Sequence, residues 1–130
     1  MKSKVIMGFD FGMQKIGIAV GQAITKSANP IAIIKAKNGI PDWIIIKKLI
    51  TEWQPSLLVI GLPLNMDGSE SDMSHLSTKF ARKLNGRFDV PYKMMDERLT
   101  SFEARTDSRS EGEAIDDIAA KLILESFLRQ

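Results

Sequence analysis

The chain contains no cysteine and a single histidine, His75, among its 130 residues. The absence of cysteine excludes disulfide bonds and thiolate metal sites, and it is typical of proteins from a reducing cytosol. A single histidine also disfavours a metal site built on imidazole, so we expect His75 to be a surface or structural residue. Any metal would therefore be held by oxygen ligands, which points to Mg²⁺ or Mn²⁺.

Long apolar runs are also missing. No stretch approaches the ~18 residues of a membrane span, and Asp10 interrupts the N-terminal apolar stretch, so no secretory signal is expected. The apolar fraction of 44% and the charged fraction of 26% are those of a soluble globular protein. We therefore expect a cytoplasmic protein without membrane association, folded as one domain over residues 1–130.

The net charge is only +2, but it is unevenly distributed. Residues 1–65 carry eight Lys/Arg and three Asp/Glu, whereas residues 66–130 carry ten and thirteen. A basic face beside an acidic cluster would suit a polyanion held near a metal, although scattered solvated charges give the same counts. From charge alone, the solvated surface is favoured.

One carboxylate, Asp10, lies inside the apolar N-terminal stretch. Residues 5–9 are apolar on both faces, as expected of a central strand, and Gly12 ends the strand in a turn. Burying a lone charge costs several kcal/mol or shifts its pKa. Asp10 therefore requires a cation, a network of hydrogen-bond donors or a metal.

The rest of the pattern predicts an α/β fold. Further strands are expected at residues 16–20, 31–34, 57–60 and 89–95, which makes five with residues 5–9. Helices are expected from Pro41 to Trp53, from Ser69 or Ser71 to about residue 86, briefly from residue 100, and over residues 114–128. The small side chains of the second strand, Gly17, Ala19 and Gly21, would let a helix or a ligand backbone approach closely.

Two acids, Asp116 and Asp117, begin the last helix and are not equivalent. Five apolar residues follow Asp116 at helical spacing: Ala119, Ala120, Ile123, Leu124 and Phe127. Asp116 therefore leads the buried stripe and faces the sheet, whereas Asp117 is followed at the fourth position by Lys121. Compensation of the helix dipole would explain an acid at either position, but not why one faces inward.

Acids thus lie within the first strand, just past the fifth strand and at the start of the last helix. In an open α/β sheet these positions can converge at one edge. Three carboxylates without histidine or cysteine form a hard-oxygen site for one or two divalent ions, and paired metals serve phosphodiester hydrolysis.

Four segments of the chain resemble the YqgF family, the pre-16S rRNA nucleases also called RuvX or Holliday-junction-resolvase-like proteins. The segments are GFDFGMQKIGIA at residues 8–19, VIGLPLNMDG at 59–68, DERLTS at 96–101 and IDDIAAKLIL at 115–124. The resemblance implies a single RNase H-like nuclease domain over residues 1–130, with a five-stranded mixed sheet flanked by helices. It further implies a cytoplasmic bacterial enzyme that uses a divalent metal to trim the 5′ end of precursor 16S rRNA during ribosome assembly.

The resemblance also implies the catalytic residues. By position, Asp10, Glu97 and Asp116 are the carboxylates that hold Mg²⁺ or Mn²⁺, and Asp116 agrees with the separate argument from the helix face. Asp96 is an alternative to Glu97, because a slip of one residue at a strand end reverses the face of the side chain.

Four further residues are expected to meet the substrate. Lys15 is expected to contact a phosphate, with a plain surface lysine as the alternative, and Asn65 and Asp67 are expected to line the site. Arg98 is expected to lie near the scissile phosphate or to pair with an acid. Relatives often carry a longer, basic segment between Glu103 and Asp116, whereas this one is short and includes two glutamates.

Three classes of function follow from the sequence. The first is a metal-dependent nuclease acting on structured RNA, or on branched DNA as a Holliday-junction-resolvase-like endonuclease, as a monomer or weak dimer. The second is an ATPase of the actin or sugar-kinase type, whose first hairpin also has the pattern Gly-x-Asp-x-Gly but which needs two such domains. The third is a non-catalytic ribosome-assembly factor that binds RNA.

Overall fold

The chain forms a mixed β-sheet with helices on both faces in the computed structural model, which describes residues 4–99 and 115–130 and the side chains of 4–98 and 118–130. The strands are β1 (Val5–Asp10), β2 (Lys15–Gln22), β3 (Ser27–Lys37), β4 (Ile40–Pro41), β5 (Leu57–Leu62) and β6 (Tyr92–Asp96). The helices are α1 (Trp43–Trp53), α2 (Asp72–Phe88) and α3 (Ile115–Leu128), and a short 3₁₀ helix covers Glu97–Leu99. No helix among the described residues is long and apolar enough to cross a membrane.

The first strand lies inside the sheet, whose order is β4-β3-β2-β1-β5-β6. β1 pairs antiparallel with β2 and parallel with β5, and β5 pairs parallel with β6. The predicted mixed α/β sheet is confirmed, but residues 4–99 alone form six strands, so the prediction of five was wrong. The additional strand, β4, has only two residues, so it is too short to show an alternating pattern.

Two boundaries at this edge of the sheet also differ from the predictions. Pro41, predicted in the first turn of α1, lies in β4, and the carboxylate of Asp42 caps α1 by accepting a hydrogen bond from the Ile44 N–H at 3.0 Å. β3 begins at Ser27 and includes Pro30, whereas the predicted strand began at residue 31. The β2–β3 register shifts between Ile18 and Ala19, next to Pro30, and such an irregularity accommodates a residue without an N–H donor.

The sheet is covered on both faces by separate apolar clusters. α1 and α2 cover one face, where Met7, Phe9, Ile18 and Ile60 of the strands pack with Phe80 and Leu84 of α2. α3 covers the other face, where Ile6, Ala19 and Val59 pack with Ala120, Ile123 and Leu124. The predicted stripe of α3 is thereby confirmed: its first four members are buried and Phe127 is half-buried.

The small side chains on the α3 face allow the helix to approach closely. A Cβ on Gly8 would lie 2.9 Å from the Leu124 Cβ and 3.4 Å from the Ala120 carbonyl oxygen. Ala19 of β2, completely buried, belongs to the same apolar cluster as Ala120. Of the two partners predicted for the small side of β2, a helix or a ligand backbone, the structure shows a helix.

Helix α2 begins where the sequence predicts and ends slightly later. Ser71 is its N-cap, with a capping box in which the Ser71 side chain accepts from the Ser74 N–H at 3.1 Å and the Ser74 hydroxyl accepts from the Ser71 N–H at 2.6 Å. The helix continues through Gly86 to Phe88, and Asp89 ends it in the left-handed conformation with φ 55°. The short helix predicted from residue 100 lies outside the described residues.

Candidate active site

Asp10 ends the strand β1 on the face of the sheet that α3 covers. It pairs with Gly17 of β2, and its neighbour Phe9 pairs with Ile60 of β5. Because side chains alternate along a strand, Asp10 shares a face with Gly8, against which α3 packs. The carboxylate is half-buried at the end of the strand, and Asp10 takes part in interactions within the protein.

Glu97 lies on the same face, directly over the end of β5. Its Oε2 and Cδ atoms lie 2.7 Å and 3.1 Å from the position that a Cβ on Gly61 would occupy. Gly61 follows Ile60, the partner of Phe9, so it stands at the level of Asp10 on the neighbouring strand. The Glu97 carboxylate therefore occupies the space that a side chain on Gly61 would fill, beside the end of β1.

Asp96 points away from this arrangement. It pairs with Leu62 of β5, whereas Met95 pairs with Gly61, so Asp96 lies on the sheet face opposite to Gly61. Its carboxylate receives three hydrogen bonds from the Arg98 side chain, the shortest 2.8 Å from Nη2 to Oδ2. Hydrogen bonds from the Arg98 guanidinium lower the pKa of Asp96, and the same contact raises the pKa of Arg98. Of the two acids that the sequence left open, Glu97 is the one on the face of Asp10.

The N-terminal end of α3 points toward these strand ends. Ala120 and Leu124 contact Gly8, whereas the tip of Ile123 reaches Gly61, two residues further along the sheet toward the carboxyl ends. Helical side chains lean toward the N-terminus of their helix, so the start of α3 lies on the carboxyl side of Gly8. The backbone of Asp116 belongs to the first turn of α3, and its side chain lies outside the described residues.

The loop between β5 and α2 is held by its own polar side chains. The Asp67 carboxylate accepts hydrogen bonds from the Ser69 N–H at 2.9 Å and the Ser69 hydroxyl at 2.6 Å. These two bonds, the hydroxyl first, lower the pKa of Asp67, with a smaller contribution from the Arg98 charge. Asn65 donates to the Ser69 hydroxyl at 2.9 Å and to the Glu70 carbonyl at 3.4 Å. Asn65 and Asp67 therefore fix the shape of this loop.

Arg98 joins the same loop to the end of β6. Besides binding Asp96, its Nη1 donates to the Met66 carbonyl at 3.3 Å. The guanidinium also covers Gly68, which has a φ of +89°, with Nη1 3.4 Å from the position of an added Cβ. Of the two arrangements expected for Arg98, the structure shows the pairing with an acid.

Lys15 lies on the face of Asp10, whereas His75 is a surface residue. Lys15 begins β2 and is exposed; because it is two residues from Gly17, it lies on the same face as Asp10. His75 is exposed and lies 3.2 Å from Glu70, as expected of a surface histidine. A cleft of about 330 Å³ between β2, β3 and Trp53 lies at the opposite end of the strands and contains none of the predicted site residues.

Two described carboxylates, Asp10 and Glu97, are thus directed to one edge of one sheet face. Their oxygen donors suit Mg²⁺ or Mn²⁺, which prefer carboxylates and water. Within residues 4–98 and 118–130, no three acidic or histidine side chains form a metal-binding group. The third predicted acid, Asp116, falls outside that set.

Sequence reasoning did not identify the role of Gly61, which provides the space that Glu97 occupies. The signal was present, because Gly61 stands in a buried β-strand, where a glycine often marks the close approach of another group. It also did not identify the bond from Arg98 to the Met66 carbonyl, which joins residues 32 positions apart.

The sequence model of the RuvX family, described as Holliday junction resolvase, matches residues 4–130. This chain belongs to the RuvX family. A RuvX relative from Pseudomonas fluorescens is 50% identical over 98% of this chain and 94% of its own length, and one from Coxiella burnetii is 51% identical over 97% and 93%. Both are provisionally named pre-16S rRNA nuclease. The family and these relatives identify an enzyme that hydrolyses phosphodiester bonds. The predicted nuclease is therefore confirmed, and the alternative of an ATPase is not supported.

Solved structures confirm the RNase H-like fold of this RuvX chain. RuvC from Thermus thermophilus in complex with a Holliday junction superposes with a TM-score of 0.61 at 10% identity, covering 95% of this chain and 92% of RuvC. The yeast mitochondrial Holliday junction resolvase Ydc2 gives a TM-score of 0.52 at 11% identity, covering 98% of this chain and 78% of Ydc2. At such identities the likeness concerns the fold.

Proposed function

We propose that this RuvX protein is a metal-dependent nuclease that processes the 5′ end of precursor 16S rRNA, with Asp10, Glu97 and Asp116 as its catalytic carboxylates. The observation that carries the proposal is the position of the Glu97 carboxylate, which packs against Gly61 beside the end of β1. Asp10 and Glu97, which are distant in sequence, lie on one face of the sheet at the carboxyl ends of β1 and β5. The first turn of α3, which contains the backbone of Asp116, supplies the third acid in this proposal.

The donor set suits a divalent cation. Asp10 and Glu97 share a face and are both acidic, and carboxylate oxygens are ligands that Mg²⁺ and Mn²⁺ prefer. Mg²⁺ or Mn²⁺, when bound, supplies an activated water and neutralises charge on the phosphate. The three carboxylates would hold the ion, and exposed Lys15 on the same face would bind a phosphate of the substrate.

The other predicted substrate residues have a different role in this proposal. Asn65 and Asp67 form hydrogen bonds with Ser69, and Asn65 forms a second one with Glu70. Arg98 forms hydrogen bonds with Asp96 and with the Met66 carbonyl. They would act on the substrate through the shape of the β5–α2 loop, which stands at the carboxyl end of β5 next to Glu97. We therefore assign them as positioning residues.

The experiment is cleavage of a precursor 16S rRNA fragment by the purified protein with Mg²⁺, compared with Asp10→Asn, Glu97→Gln and Asp116→Asn. Each of the three should abolish cleavage, whereas Asp117→Asn, the matched control one residue along α3, should retain it. Normal cleavage by Asp10→Asn or Asp116→Asn would refute the assignment. If cells depleted of the protein are rescued by Asp10→Asn, the function is that of a non-catalytic RNA-binding assembly factor.

Branched DNA is the second candidate substrate, because the family description and the RuvC complex both concern Holliday junctions. The two substrates are separated by presenting the RNA fragment and a four-way DNA junction to the same enzyme. We expect the RNA to be cut with the higher kcat/KM, and preferential cutting of the DNA junction would favour resolvase activity.

A further inference from the structure

The helix α2 carries a run of positive charge without any acid. From Met73 to Phe88 the sequence contains four Lys/Arg and no Asp/Glu. Three of these cations, Lys79, Lys83 and Arg87, are spaced by four residues and are exposed. Four residues of α-helix rise about 6 Å, so the three charges follow one line of about 12 Å along the helix surface. We call Lys79, Lys83 and Arg87 the α2 basic ridge.

The ridge borders two clefts with apolar and aromatic walls. One cleft, of about 140 Å³, is lined by Lys79 and Lys83 together with Phe11, Ile40 and Phe80. The other, of about 310 Å³, is lined by Arg87, Trp43, Ile44, Lys47 and Phe88. Phe11 and Phe80 are buried, whereas Trp43 and Phe88 are half-buried and Ile40 and Ile44 are exposed. Positive charge beside partly accessible aromatic and apolar side chains is typical of a surface that binds single-stranded nucleic acid.

The cations of the ridge are available to an external anion. The ion pairs between His75 and Glu70 and between Arg98 and Asp96 do not include a ridge cation. Arg87 lies over the Trp43 ring, 4.2 Å from its centroid, which orients the guanidinium without neutralising it.

One end of the ridge lies near the end of β1, which carries Asp10. Phe11, which lines the first cleft, directly follows Asp10, and its ring lies 5.0 Å from that of Phe80, the neighbour of Lys79. The ridge lies on the face of the sheet opposite to Glu97, so a strand that contacts both must cross the carboxyl edge of the sheet at the loop after β1. The cleft at Phe11 lies on that path.

We propose that the α2 basic ridge binds the phosphate backbone of the nucleic-acid substrate, outside the catalytic acids and on the other side of the sheet edge. This inference rests on the proposed nuclease function. The ridge increases affinity without selecting a base sequence, because phosphate contacts position a nucleic acid and carry no sequence information. Its contribution therefore falls as the salt concentration rises.

The test is the salt dependence of binding to a fluorescein-labelled stem–loop RNA with a single-stranded 5′ extension, measured by anisotropy in an Asp10→Asn background that prevents cleavage. Lys79→Gln, Lys83→Gln and Arg87→Gln are combined, and a second variant with only the two lysines changed leaves the Trp43–Arg87 contact intact. The control, Lys4→Gln with Lys93→Gln and Arg129→Gln, removes three exposed cations elsewhere. Circular dichroism establishes that each variant is folded.

The slope of log K against log[salt] is negative, and we expect the ridge variant to reduce its magnitude by about two to three. Each lost phosphate contact removes roughly 0.7–0.9 from that magnitude. The variant with only the two lysines changed should reduce the magnitude of the slope by about half to two thirds of that amount. Lys79→Arg with Lys83→Arg keeps both charges and should keep the wild-type slope. Equal slopes for the ridge and control variants would overturn the inference, while wild-type cleavage of precursor rRNA would leave the nuclease assignment standing. A wild-type protein that neither binds the RNA nor cleaves it would overturn both.

Discussion

Replacing Gly61 by alanine tests the geometry of the site at a single methyl group. The added Cβ would lie 2.6 Å from the Ile123 Cδ1, 2.7 Å from the Glu97 Oε2 and 3.1 Å from the Glu97 Cδ. Carbon atoms in contact are normally about 3.5–4.0 Å apart, so both side chains must move by roughly 1 Å. Glu97 is half-buried, so its carboxylate has open space on one side into which it can be displaced, whereas the Ile123 side chain is completely buried.

The two displacements have separate consequences. Overpacking against Ile123 should lower the free energy of unfolding by about 1–3 kcal/mol. Displacing the Glu97 carboxylate by about 1 Å should lower the cleavage rate by roughly a hundredfold, because catalytic groups tolerate little misplacement. Urea unfolding measures the first effect, and single-turnover cleavage of precursor rRNA with saturating enzyme and Mg²⁺ measures the second.

Two further variants separate these effects. Adding Ile123→Val to Gly61→Ala removes the clashing Cδ1 atom, so stability should recover in part while the cleavage rate stays low. Gly86→Ala is the matched control, because nothing lies within 4 Å of its added Cβ; alanine at this interior position of α2 should add about 0.5–1 kcal/mol and leave cleavage unchanged. If folded Gly61→Ala cleaves at the wild-type rate, catalysis does not require the Glu97 carboxylate in its position against Gly61.

Two other predictions concern the elements around the site. Arg98 lowers the pKa of Asp96 in the folded state. The stabilising contribution of Asp96 is therefore present above its unfolded pKa of about 4 and is lost as the pH falls through the folded value. Arg98→Met should lower the free energy of unfolding near neutral pH and flatten its decline below about pH 4, as measured by urea unfolding, and an unchanged pH profile would contradict the pairing. Ser71→Ala removes the N-cap of α2 and should lower the free energy of unfolding by about 0.5–2 kcal/mol. Ser71→Thr should retain most of the stability, because its hydroxyl can still accept from the Ser74 N–H and donate to the Pro63 carbonyl. Equal unfolding midpoints for alanine and wild type would show that the cap contributes nothing.

The parts of the fold with strong periodicity were predictable from the sequence. The apolar residues at helical spacing after Asp116 identified the buried side of α3. The small residues of β2 indicated that a helix or a ligand backbone approaches there, and the helix is what packs on them. Both are local patterns whose period is set by backbone geometry. β4 could not be predicted, because a two-residue strand shows no period and exists only through its pairing with the end of β3.

The choice between Asp96 and Glu97 could not be made from the sequence, since neighbouring residues at a strand end differ only in the face to which they point. The register of β6 against β5 places Met95 beside Gly61, and that pairing puts Asp96 on the opposite face. Similarly, the pairing of Arg98 with Asp96 was one of two expectations, but its bond to the Met66 carbonyl depends on the folded β5–α2 loop. Local patterns and the family resemblance predicted the acids, and the strand register determines which of the described ones share a face.

The measurement that tests the central claim most directly is the anomalous diffraction of a crystal of the protein soaked in Mn²⁺. The account predicts manganese at the carboxyl ends of β1 and β5, bound by oxygens of Asp10, Glu97 and Asp116 at about 2.0–2.2 Å, and lost in an Asp10→Asn crystal. Manganese bound elsewhere, or none at these acids in a preparation that cleaves precursor rRNA, would contradict it.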